Sequence, residues 1–137
     1  MEYANERADD LMRAYDKYIA DTKHICMSEV YRNIVNMPAR RFWVSDKRAN
    51  IVVSAILRGE PCLQSMRELK REMYLEIFRR VQALRILKPA LSTFELCAIV
   101  VDQPAPKFYL TPGSAKTMVC KARKEWKKRK LRKLRLL

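Results

Sequence analysis

The chain has 137 residues, 49% of them apolar, with only two glycines and six prolines. That size suits one compact domain or two very small ones, and leaves little room for long flexible linkers. The formal net charge of +14 points to a polyanionic partner, and the lack of an apolar run of ~18–20 residues excludes a membrane-spanning helix.

The first twenty residues carry charge throughout and do not read as a secretory leader. The spacing predicts a first helix over about 5–20, with Ala8, Leu11, Met12, Tyr15, Tyr18 and Ile19 on its apolar face. A second helix over about 27–37 carries Val30, Tyr31, Ile34 and Val35, and Pro38 stops it. After a connector, Ser45 is a good N-cap and Asp46 suits the helix dipole. That third helix reaches about residue 58 and turns Ala49, Val52, Val53 and Ile56 inward, with Gly59 at its C-terminal cap. The fourth and longest helix spans about 65–87, with a stripe of Leu69, Met73, Ile77, Val81 and Leu84. Ser92 or Thr93 caps a fifth helix, with Glu95 placed as in a capping box, and Pro104 breaks it. Thr111-Pro112 starts a sixth helix, whose apolar face is Ala115, Met118, Val119, Ala122 and Trp126.

The chain repeats itself. Pro38-Ala39-Arg40-Arg41-Phe42-Trp43-Val44-Ser45 returns 66 residues later as Pro104-Ala105-Pro106-Lys107-Phe108-Tyr109-Leu110-Thr111. The same offset pairs Glu6 with Glu72, Leu11 with Ile77, Arg13 with Arg79, Ala49 with Ala115 and Val53 with Val119. This pattern reads as an internal duplication. The expected fold is all-α: six helices in two tandem pseudo-repeated three-helix units, 1–62 and 63–126, followed by a basic helical tail, 127–137. Only 41–44 and 107–110 suggest short extended pieces.

Three short helices ending in a helix-turn-helix-like pair are a common scaffold for presenting a helix to the DNA major groove. The presented helices would start at Ser45 and Thr111. Lys47, Arg48 and Asn50 in the first, and Ser114, Lys116, Thr117 and Lys121 in the second, are candidates for base or phosphate contacts. Arg40, Arg41 and Lys107 in the connectors are candidate phosphate or minor-groove contacts. The connector of about seven residues is longer than the ~3–4 of a simple helix-turn-helix. Phe42-Trp43 and Phe108-Tyr109 read better as loop staples packed on the core than as base-stacking platforms.

The end of the chain is the densest electrostatic feature. Lys121, Arg123, Lys124, Lys127, Lys128, Arg129, Lys130, Arg132, Lys133 and Arg135 face one carboxylate, Glu125. Such a density binds phosphates without reading sequence. Leu131, Leu134 and Leu137 recur at spacing three, which allows an amphipathic helix on a partner or an anionic membrane.

Nothing points to an enzyme. His24 is alone, no Gly-rich phosphate loop is present, and Glu6, Asp9, Asp10 and Asp16 read as the solvated face of the first helix. Cys26, Cys62, Cys97 and Cys120 lack the close pairing of a zinc site and read as reduced core thiols. No metal or cofactor is expected.

The motifs MPARRFWVSDKRANIVVSAILRG, LKREMYLEIFRR and DQPAPKFYLTPGSAK resemble a small, basic, uncharacterised protein family of gut Bacteroidales and their phages and mobile elements. The resemblance covers most of the chain after about residue 27. It implies a bacterial cytoplasmic setting, or packaging in a virion, and supplies no functional residues. The sequence expectation is therefore a DNA-binding phage or mobile-element transcriptional regulator acting on double-stranded DNA. The alternative is a sequence-non-specific nucleic-acid-binding or virion-associated packaging protein that uses the basic tail, with phage or host proteins as further partners.

Overall fold

The computed structural model describes residues 3–135, and these form an all-α chain of six helices. The helices are α1 (Ala4–Asp21), α2 (Met27–Val35), α3 (Asp46–Leu57), α4 (Glu68–Leu87), α5 (Thr93–Val101) and α6 (Pro112–Arg135). Their order and positions follow the sequence expectation closely. The largest boundary difference is at α4, because residues 62–66 turn instead of entering the helix. Arg71 holds that turn from within α4, donating from Nε to the Leu63 carbonyl (3.1 Å) and from Nη2 to that of Met66 (3.0 Å).

The helix ends explain why the boundaries are legible. Ser45 Oγ accepts from the Arg48 N–H at 3.1 Å, and Thr111 Oγ1 accepts from the Ser114 N–H at 3.1 Å. Ser92 and Glu95 form the full capping box that opens α5. Each of these caps satisfies backbone donors that the first helical turn leaves unpaired. Gly59 sits at φ +77° after α3, where its N–H reaches the Ile56 carbonyl and the Glu60 N–H reaches that of Ala55. That is the Schellman arrangement, which needs a left-handed residue.

Packing divides the chain elsewhere than at the sequence boundaries 1–62, 63–126 and 127–137. Among the described residues, one compact unit joins 3–37 to 110–135, and the other is Pro38–Tyr109. In the first unit α1, α2 and α6 pack on one another. Its core contains Leu11 and Ala14 of α1, Val30, Tyr31, Ile34 and Val35 of α2, and Ala115 and Val119 of α6. In the second unit α3, α4 and α5 pack together. Its core contains Ala49, Val52 and Val53 of α3, Ile77 and Val81 of α4, and Leu96, Cys97, Val100 and Val101 of α5. Each unit thus joins a consecutive helix pair, α1–α2 or α4–α5, to the helix that follows the connector in the other half of the sequence, α6 or α3. The basic tail is not a separate segment either, since α6 runs unbroken from Pro112 to Arg135.

The two connectors are part of the second unit's core. Ala39 and Ala105 form an isolated antiparallel bridge, and among the described residues there is no strand. Phe42 and Phe108 are buried, as the staple reading expects, and the Phe42 N–H donates to the Val101 carbonyl at 3.1 Å. The anticipated extended pieces at 41–44 and 107–110 do not form. Val44 N–H turns back onto the Phe42 carbonyl, and Tyr109 adopts φ +56°. A left-handed tyrosine costs roughly 1–2 kcal/mol. Here its ring stacks on Phe42 (centroids 6.1 Å apart), and burial pushes its hydroxyl pKa up to about 12.

Candidate nucleic-acid interface

The connector cations are engaged within the second unit. Arg41 donates from Nε to the Phe42 carbonyl and from Nη2 to that of Val44, both at 3.1 Å, and pairs with Asp102 at 3.3 Å. Lys107 Nζ reaches Glu72 Oε2 at 2.6 Å and lies 5.4 Å from the Tyr109 ring centroid. These two side chains brace the connectors, with 19% of the Arg41 and 30% of the Lys107 side chain left exposed. Arg40 lies exposed on the first connector.

At the start of α3, Lys47 and Arg48 are exposed, whereas Asn50 is half-buried and accepts from the Ser54 hydroxyl at 3.3 Å. Burial raises the pKa of the Tyr74 hydroxyl, and Arg48 beside it opposes that shift. At the start of α6, Ser114, Lys116 and Thr117 are all exposed. The Ser114 hydroxyl accepts from Thr111, and the Thr117 hydroxyl donates to the Gly113 carbonyl. Local backbone and cap chemistry therefore occupies much of the hydrogen-bonding capacity expected to read bases.

The rest of α6 presents a different surface. Its 24 residues span about 36 Å at ~1.5 Å rise per residue. It carries eleven Lys and Arg against the single carboxylate of Glu125. Ala115 and Val119 face the core of the first unit. At helical spacing, Lys121, Lys124 and Lys128 fall on the side away from them, and Lys116 and Lys127 on one flank. Lys116, Thr117, Cys120, Lys121 and Lys124 line a surface depression. From Arg123 to Arg135 every side chain is exposed, including Arg129, Lys130, Arg132 and Lys133. The apolar face expected to reach Trp126 ends earlier: Met118 and Ala122 are half-buried, and Trp126 is 59% exposed. Leu131 and Leu134 are likewise exposed, and Leu137 lies outside the described residues.

α6 is anchored at its middle. Arg123 Cζ lies 5.8 Å from the Tyr15 ring centroid, and Tyr15 stacks on Tyr31 at 6.2 Å. Arg123 therefore has a packing role besides its charge. Sequence reasoning missed Arg80 altogether. It donates to the Pro104 carbonyl at 2.9 Å, pairs with Glu76 at 2.9 Å and sits 4.9 Å from the Phe42 ring centroid. The only local hint is Glu76 one turn earlier; its other partners lie far away in sequence.

Other expectations change with burial. Asp10 is not on the solvated face of α1: it is buried and accepts from Arg13 Nε (2.9 Å) and Nη2 (2.7 Å). Of the four free thiols only Cys97 is in the core, while Cys26 and Cys120 are exposed. Among the described residues no group of three His, Cys, Asp or Glu is placed to hold a metal. No described helix is long and apolar enough to cross a membrane. Comparison with protein-family models, with curated proteins and with solved structures finds no match.

Proposed function

We propose that this protein binds nucleic acid through the outer face of α6, gripping phosphates without reading sequence. The observation that carries this reading is the excess of ten positive charges on one 24-residue helix whose distal half is wholly exposed. A row of cations at this density displaces condensed counterions along a polynucleotide and gains affinity from their release. The resemblance noted above would place this activity in a bacterial cell or a phage particle, as a packaging or nucleic-acid-associated protein.

A second reading, a regulator of specific duplex sites, draws on the exposed residues Lys47 and Arg48 near the start of α3 and Lys116 near the start of α6. It has less support, because α3 packs with α4 and α5, and α6 with α1 and α2. Neither α3 nor α6 thus belongs to a compact unit with the helix just before it in sequence, as a helix-turn-helix requires. Deleting residues 127–137 separates the two readings. The proposal expects near-total loss of nucleic-acid binding. Retained preference for one duplex, at reduced affinity, would favour the regulator.

A further inference from the structure

We infer that the nucleic acid held by α6 carries unpaired bases, and that Trp126 is the platform on which one of them stacks. This rests on the α6 reading and names the class of ligand that the exposed distal half of the helix takes, where the stripe of Ala115 and Val119 continues past its cover to Trp126. Trp126 lies beyond the last core residue of α6 and is 59% exposed. It is surrounded in sequence by Arg123, Lys124, Lys127, Lys128, Arg129 and Lys130. Lys130 Nζ sits 4.8 Å from its ring centroid. An indole with an ammonium over it offers a π-surface and a phosphate contact at the same place.

The occupant follows from complementarity. A duplex hides its base faces in the stack and shows only their edges in the grooves. An unpaired base beside its own phosphate presents both a flat ring and a negative charge, the two things this site is built to meet. An anionic membrane fits less well. Among the described residues from Arg123 to Arg135 only Trp126, Leu131 and Leu134 are apolar, too few for the broad apolar face of an interfacial helix.

The test uses the full chain and three probes: a fully paired RNA duplex, the same stem closed by an unpaired loop, and phosphatidylglycerol vesicles. The stem-loop should bind about tenfold more tightly than the duplex. Trp126→Ala should erase that difference, and Trp126→Phe should restore most of it. Circular dichroism of each variant checks that α6 is intact. Equal affinity for stem-loop and duplex, insensitive to Trp126→Ala, would overturn the inference and leave the α6 reading standing. Tighter binding to vesicles than to either RNA would also overturn it. Absence of binding to both RNAs at low salt would instead remove the α6 reading itself.

Discussion

Ala39 and Ala105, 66 residues apart, donate their backbone N–H groups to each other's carbonyls, both at 3.0 Å. These are the matching alanines of the two PAxxF connectors. Their bridge fastens the two connectors within the second unit, beside the Phe42 N–H bond to Val101 that sets the approach to α3. Both alanines are 2% exposed, so there is no space for a larger side chain. Ala39→Leu should destabilise the protein by about 1–3 kcal/mol through overpacking. A urea-unfolding midpoint unchanged from wild type would show that the bridge is not a packing constraint.

The two glycines should respond in opposite directions. Gly59 holds φ +77° with nothing near a new Cβ, so Gly59→Ala meets only backbone strain. It should cost about 1 kcal/mol. Gly113 lies in the first turn of α6, has no positive φ and also has open space around it. Gly113→Ala should stabilise by roughly 0.4–1 kcal/mol, by restricting the unfolded chain and improving helix propensity. Thermal unfolding of the two variants checks the signs.

Cys97 provides a pH handle on the second unit. Burial pushes its thiol from 9.0 up to about 11. The folded state then holds a proton that the unfolded state releases first. The resulting stability is fully present below pH 9 and is lost as pH rises from about 9 to about 11. Cys97→Ala should flatten that part of the stability profile. At pH 8 a thiol reagent should modify exposed Cys26 and Cys120 quickly, and Cys97 only after unfolding.

Local rules made most of the helices legible. Ser45, Ser92 and Thr111 announce helix starts because an N-cap is settled within four residues of chain. Pro38, Pro104 and Gly59 mark ends for equally local reasons. The pairing of helices was not legible, because α3 has an apolar face that can pack on either long–short pair. Periodicity records that a face is apolar, not what covers it. The same limit applies to the candidate site. The charge density of α6 is visible in composition, but the internal engagement of Arg41 and Lys107 depends on Asp102 and Glu72, which are distant in sequence. Trp126 continues a helical stripe whose covering partner runs out before it.

The most direct measurement is the salt dependence of nucleic-acid affinity for the wild-type chain and for a Lys121→Gln, Lys124→Gln, Lys127→Gln, Lys128→Gln variant. Each lost phosphate contact should lower the slope of log affinity against log salt by about 0.7–0.9. The account therefore predicts a slope shallower by about 3, with weaker binding at low salt. A control with Lys47→Gln and Arg48→Gln in α3 should leave the slope unchanged. Wild-type slope and affinity in the α6 variant, with loss in the α3 control, would contradict the account.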